Sequence, residues 1–163
     1  MKHTLSVLFQ DRFDTIPRII GMFSGRGFNI DSISFGQGEE PKLYRMTITT
    51  EGDETVIEQI AKQLNKLVNV TKVVDLTYEP FVERELALVK VCSSPSTRPE
   101  IMQLANIFRA KIIDISPKTV TIEITGKEDK VNAAIGMLRH FGLQEISRTG
   151  CVALKREFKG HTD

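Results

Sequence analysis

The chain has 163 residues, 40% of them hydrophobic and 26% charged, the composition of a folded globular protein with one or two domains. Its 22 basic and 21 acidic side chains leave a net charge of +1, so the charge balance gives no sign of a nucleic-acid partner. No apolar run reaches the about 20 residues that a membrane helix needs. We expect a cytoplasmic protein without a membrane partner, whose N-terminal segment is a first strand rather than a signal peptide.

The first half of the chain predicts six elements in the order βαββαβ. Apolar spacing of i, i+3, i+4, i+7 marks the helices, and alternation marks the strands. The predicted elements are a strand at 4–9, a helix that begins at Ile16 and ends at the glycines of 24–27, strands at 29–36 and 43–50, a helix capped by Asp53, and a strand at 69–78.

The second half predicts the same order. Its elements are a strand at 82–92, a helix behind a capping box Thr97-x-x-Glu100, strands at 110–116 and 119–125 around a turn, a helix behind Thr125-x-x-Glu128, and one last strand at 143–154. Each half places two helices on one face of a four-stranded antiparallel sheet. The predicted fold class is therefore α+β, with two successive ferredoxin-like βαββαβ domains. Because halves of this size leave a sheet face and an edge open, we expect an oligomer.

Motifs for metal binding and catalysis are weak. His3, His140 and His161 stand at the chain start, a helix end and the tail, without the spacing of a zinc site. The glycine pairs "SGRG" and "GQG" lack the lysine and the context of a phosphate loop. Cys92 and Cys151 lie in strand patterns, where we expect buried, reduced and inert thiols. We expect no catalytic residue and no metal in this chain.

Two carboxylates, Asp11 and Asp14, stand between the first strand and the first helix in "FQDRFDTIPRIIG". They are a candidate acid/base pair, because environment can separate the pKa values of two carboxylates. The favoured interpretation is different: Asp14 stands at an N-cap position, where its carboxylate accepts from the first backbone N–H groups.

Two binding functions remain open from the residues alone. The RNA-recognition fold has the same element order, but the third strand "KLYRMTITT" lacks its aromatic signature. The other function is a small-molecule regulatory domain, in which a ligand's carboxylate meets the exposed start of a helix.

The segments "RGFNI", "EQIAKQLNKLV", "VEREL", "FRAKIIDIS" and "RTG" closely resemble the small regulatory subunits of acetolactate synthase, also called acetohydroxyacid synthase. The resemblance extends in register to about Arg156. It implies an N-terminal ACT domain at 4–78, a C-terminal ferredoxin-like domain at 79–157, and a short disordered tail at 158–163.

The resemblance also implies a function without catalysis. Family members bind and activate a large subunit, which holds thiamine diphosphate, Mg²⁺ and FAD and makes acetolactate from pyruvate for branched-chain amino acid biosynthesis. They usually make it sensitive to valine, and their ACT domains pair as homodimers. An alternative of a different class is a stand-alone amino-acid sensor that acts on another enzyme.

The family's effector site combines the first strand-to-helix loop of one chain with the start of the partner's second strand. Carried onto this sequence, the site residues are Asp11, Asp14, Thr15 and Ile16 of one chain and Asn29 and Ile30 of the other. Asn29 and Ile30 match the family pattern. Asp11 and Asp14 do not, because the usual loop has Asn at the first position and Gly at the second.

This departure has an electrostatic consequence. Two unit charges about 4 Å apart at an effective dielectric of about 20 interact by about 4 kcal/mol, and about 1.4 kcal/mol is a tenfold change in affinity. Asp14 would therefore do permanently what the effector's carboxylate does transiently, and we expect valine to bind weakly or not at all. In the competing hypothesis Asp11 pairs with the effector's ammonium group, and ordinary feedback is intact.

Overall fold

The computed structural model describes residues 1–157, so the tail expected at 158–163 lies outside the described residues. The chain forms two compact units. One consists of Met1–Glu83 together with the described residues from Gly150 on, and the other of Arg84–Thr149. This division differs from the expected second domain at 79–157, because the residues that follow Thr149 belong to the first unit.

The first unit has the predicted βαββαβ order. Its elements are β1 (Lys2–Gln10), α1 (Arg12–Gly25), β2 (Ser32–Gln37), β3 (Leu43–Glu51), α2 (Glu54–Asn65) and β4 (Val70–Asp75). The strands form an antiparallel sheet in the order β2-β3-β1-β4. Alternate residues of β1 point to the helix side, so Leu5, Val7 and Phe9 are buried in one core with Phe23 of α1 and Leu64 of α2.

The second unit repeats this arrangement. Its elements are β5 (Phe81–Cys92, which begins in the first unit), α3 (Arg98–Ile107), β6 (Lys111–Ile115), β7 (Thr119–Gly126), α4 (Glu128–Leu138), a short 3-10 turn (Arg139–Phe141) and β8 (Leu143–Arg148). The strand order is β6-β7-β5-β8. Val89, Ile101, Ile122, Val131 and Leu138 are among the residues of its core. The prediction of an α+β fold with two ferredoxin-like units is confirmed.

The helix caps are partly as predicted. Asp53 caps α2, since its Oδ1 accepts from Val56 N at 2.9 Å. Both predicted capping boxes are wrong. The Thr97 hydroxyl instead accepts from Ser94 N at 2.9 Å, inside the loop that precedes α3. Thr125 still belongs to β7, and α4 begins at Glu128 after Lys127.

The single strand predicted for 143–154 is two strands. After β8, the chain bends at 149–151 and continues as β9 (Val152–Lys155), which pairs with β5. Gly150 passes against β2 so closely that a Cβ built on it would lie 2.7 Å from Ile33 O. Only a glycine permits this approach of two backbones.

The two cysteines are reduced thiols, and neither is fully buried. Cys92, the last residue of β5, is exposed, and Cys151 is half-buried. The prediction of buried thiols is wrong because Cys92 lies at the end of its strand, where Gln144 Nε2 approaches the sulfur at 3.2 Å.

Candidate functional site

The loop that connects β1 to α1 is fixed by backbone and hydroxyl hydrogen bonds. Asp11 has φ 50 and ψ 73, a left-handed conformation that Asp adopts more readily than most residues. Thr15, which is buried, donates through Oγ1 to Gln10 O at 2.7 Å and through its backbone N–H to Asp11 O at 3.0 Å. Thr15 therefore holds the turn in place.

The prediction that Asp14 caps the first helix is wrong. The helix begins at Arg12, so Asp11 occupies the cap position, and Asp14 is the third helical residue. The side chain of Asp11 makes no capping hydrogen bond. The Asp14 carboxylate pairs with Arg18 one turn further along, with Nε 2.9 Å from Oδ2. Pro17 consequently lies inside the helix rather than in its first turn.

The start of α1 also carries an exposed aromatic and cationic cluster. The Arg12 guanidinium lies over the ring of Phe13 at 4.8 Å and over the ring of Tyr44 at 5.6 Å. Phe13 is 79% exposed, whereas Ile16 is half-buried against the core. A ligand at this helix start would therefore meet an aromatic surface and a guanidinium as well as the two carboxylates.

Asn29 and Ile30 do not begin the second strand as predicted, because β2 starts at Ser32. They lie in the segment that leads into it. The Thr50 hydroxyl donates to Asn29 O, and Asp31 N donates to Thr49 O at 2.8 Å, so this segment is tied to the end of β3. The Asn29 side chain is exposed and Ile30 is half-buried against the core.

Within one chain the two groups of predicted site residues lie at opposite ends of the sheet. The register pairs Thr4 with Thr49, beside Asn29, whereas Gln10, beside Asp11, pairs with Leu43. Six strand residues at about 3.3 Å each separate these ends by about 20 Å. The structure thus brings Asp11, Asp14, Thr15 and Ile16 together and leaves Asn29 and Ile30 apart. Within one chain the two groups of predicted residues therefore do not meet.

Sequence reasoning did not identify Arg12 and Arg18 as site residues. The signal for Arg18 was present, because an acidic residue followed four positions later by a basic one pairs on a helix surface. It was overlooked because Asp14 was placed outside the helix. The cluster around Arg12 had no such signal, since Tyr44 comes from a strand that is distant in sequence.

Among residues 1–157, no group of three His, Cys, Asp or Glu side chains could hold a metal ion. In the same range, no helix is long and apolar enough to span a membrane.

The fold of the first unit and the loop at the start of α1 define an ACT-type regulatory domain: residues 5–72 match the family model described as the AHAS small subunit-like ACT domain. Residues 84–157 match the model described as the small subunit of acetolactate synthase. The chain therefore belongs to the family of acetolactate synthase small subunits. These are regulatory subunits of a transferase whose catalysis takes place in a large subunit.

Individual relatives are similar over nearly the whole chain. A probable acetolactate synthase small subunit of Archaeoglobus fulgidus is 49% identical, with 96% of this chain and 98% of that protein covered. The acetolactate synthase small subunit of Aquifex aeolicus is 47% identical, with coverages of 96% and 82%. The crystal structure of the small subunit from Thermotoga maritima superposes with a TM-score of 0.89 at 44% identity, over 96% of this chain and 98% of that one.

Proposed function

We propose that this chain binds and activates the thiamine-diphosphate-dependent large subunit of acetolactate synthase, in the cytoplasm, for the synthesis of branched-chain amino acids. One observation carries the proposal: the similarity to acetolactate synthase small subunits spans both structural units in register. In this function the cofactors thiamine diphosphate, Mg²⁺ and FAD belong to the large subunit, and this chain contributes binding surface.

Reconstitution with a purified large subunit tests this function. Acetolactate formation is measured at a fixed large-subunit concentration while this chain is added, and the two proteins are also passed together over a size-exclusion column. We expect a saturable rise in rate and co-elution. The proposal is contradicted if the large subunit from the same organism shows no rise in rate and does not co-elute with this chain. A chain that binds free amino acids but no large subunit would instead be a stand-alone sensor.

The effector site is proposed to form between two copies of this chain. One copy supplies the start of α1, with Asp11, Asp14, Thr15 and Ile16, and the second supplies Asn29 and Ile30. The separation of about 20 Å between these groups within one chain supports a site shared by two chains. Analytical ultracentrifugation would show a dimer in solution; a monomer at all concentrations would exclude the shared site.

At this site we propose that valine binds weakly. The reason for the weak binding is the negative charge of Asp14, since its carboxylate does not cap the helix. The backbone N–H groups at a helix start favour an anion, but Asp14 adds a carboxylate in the first turn, and its exposed partner Arg18 offsets only part of that charge. Titration calorimetry of the purified chain with valine tests this, and micromolar binding that depends on Asp11 would favour the competing hypothesis, in which Asp11 pairs with the ammonium group.

A further inference from the structure

A cleft of about 190 Å³ lies in the first unit, on the helix side of the sheet. One wall is a face of α2, with Glu54, Ile57, Glu58 and Ala61 at the i, i+3, i+4, i+7 spacing of a single helix side. The opposite wall comes from His3 of β1, from Asp75 at the end of β4 and from Tyr78 in the turn that follows β4. None of the residues that line this cleft belongs to the start of α1, so the cleft is distinct from the candidate effector site.

The opposite wall contains a buried histidine with an unused nitrogen. His3, which is 1% exposed, lies 3.3 Å through Nδ1 from Asp75 Oδ2. Because a carboxylate only accepts, this contact assigns the proton of a neutral ring to Nδ1 and leaves Nε2 as an acceptor. Nε2 has no hydrogen-bond partner among residues 1–157. Buried polar atoms without partners are rare, so this nitrogen is evidence for a ligand that donates a hydrogen bond.

The other polar groups of the cleft are a phenol and three carboxylates. Tyr78, whose ring meets that of His3 edge-on at 5.9 Å, donates its hydroxyl to Glu54 Oε1 at 3.1 Å. Glu58 pairs with the exposed Lys62 at 3.4 Å. Three carboxylates therefore line the cleft, and one of them has a cation beside it. This balance disfavours an anion and favours a cation.

The size and the apolar part of the cleft limit the choice of cation. At about 30 Å³ for each water, the volume equals about six water molecules. Ile57 and Ala61 offer apolar contact beside the ring of Tyr78, which attracts cations to its face. We propose that this cleft binds a small primary ammonium ion with a short alkyl chain, which donates a hydrogen bond to His3 Nε2 and faces Glu54 and Asp75.

Titration of the full chain with n-butylammonium tests the proposal. Binding is followed by calorimetry, and the ¹⁵N resonance of His3 Nε2 reports whether that nitrogen receives a hydrogen bond. We expect saturable binding with one ligand per chain and an upfield shift of that resonance. Butyrate and 1-butanol, of similar size but anionic or neutral, should bind at least tenfold more weakly.

Two substitutions at exposed or half-buried positions avoid the risk of unfolding that a change at His3 carries. Glu54→Gln removes a carboxylate, and Ala61→Leu fills the cleft without a change of charge; each should weaken n-butylammonium at least tenfold. Glu40→Gln removes an exposed carboxylate in the β2–β3 loop, at the other end of the sheet, and should leave binding unchanged. The proposal is overturned if n-butylammonium shows no saturable binding, if butyrate or 1-butanol binds equally well, or if neither cleft substitution has an effect.

Discussion

The Asp14 carboxylate and the Arg18 guanidinium form an ion pair across one turn of α1, with Nε 2.9 Å from Oδ2. Because both side chains are more than half exposed, the pair itself contributes at most about 0.5 kcal/mol to the helix. Its importance lies in the charge that an effector would meet at the helix start. Arg18 is held one turn away from the first N–H groups, so Asp14 is the nearer charge.

Asp14→Asn should therefore strengthen valine binding by about tenfold. The amide keeps the shape of the side chain but removes the negative charge that faces the ligand's carboxylate. A tenfold change in affinity corresponds to about 1.4 kcal/mol, about a third of the repulsion of about 4 kcal/mol between two charges about 4 Å apart at an effective dielectric of about 20. Arg18→Met should have the opposite effect, because it leaves the charge of Asp14 without its partner. Titration calorimetry with valine measures both.

The matched control for this pair is Asp129→Asn. Asp129 also lies in the first turn of a helix, α4, but in the other unit, and its change should leave valine binding as it is. Equal valine affinity in Asp14→Asn and the unmodified chain would show that the charge of Asp14 does not limit effector binding.

Gly150→Ala should destabilise the chain by about 1–3 kcal/mol, the usual range for inserting an atom where there is no room. The new Cβ would lie 2.7 Å from Ile33 O and 2.7 Å from Ser34 Oγ, and the first of these is backbone. Urea unfolding measures the loss. Gly21→Ala serves as the control, because a Cβ at that exposed position inside α1 meets nothing within 4 Å. It should stabilise the helix by up to about 1 kcal/mol, and equal effects of the two substitutions would contradict the close approach at Gly150.

The element order was readable from the sequence because the apolar spacing is strong. The stripe of α4, from Val131 to Leu138, is buried in full, and Leu5, Val7 and Phe9 of β1 lie in one core. The ends of elements were less readable. A capping box needs only two residues of the right type, and Thr97 satisfies that pattern although its hydroxyl is used by the preceding loop. The close approach of Gly150 to β2 had no signal in the sequence, because Ile33 is far away along the chain.

The candidate site was predicted in part. The loop residues next to Asp11 are contiguous in the chain, so any helix start there brings them together. The role of Asp14 was mistaken because α1 begins four residues earlier than its apolar stripe, and stripes mark the buried turns rather than the first turn. His3 was passed over as a residue at the chain start. Its position two residues before Leu5 places it on the core face of β1, which strand alternation alone would have indicated.

Glu145 should titrate with a pKa below its usual value of 4.5, because it accepts a hydrogen bond from Lys90 on the neighbouring strand at 2.6 Å. A lowered folded-state pKa stabilises the fold at pH values above the unfolded pKa, and this contribution is lost as the pH falls through the folded pKa. NMR titration of the Glu145 carboxyl measures the value. Lys90→Met should return it toward 4.5, whereas Lys118→Met, in the β6–β7 turn, should not; a Glu145 pKa that is the same with and without Lys90 would contradict the pairing.

Tyr78 should titrate with a pKa above its usual value of 10.0, because partial desolvation disfavours the phenolate and the Glu54 carboxylate accepts a hydrogen bond from the neutral phenol. The neutral phenol is favoured in the fold, so this contribution to stability is present below the unfolded pKa and is lost as the pH rises through the folded pKa. The chain has 2 tyrosines, and in a Tyr44→Phe background the ultraviolet absorbance of phenolate reports Tyr78 alone. Glu54→Gln should lower the pKa of Tyr78, because it removes the carboxylate that accepts the phenol's hydrogen bond. Glu58→Gln, one turn along the same helix face and without a hydrogen bond to the phenol, should shift the pKa of Tyr78 less. A Tyr78 pKa that does not respond to Glu54→Gln would contradict the hydrogen bond between Tyr78 and Glu54.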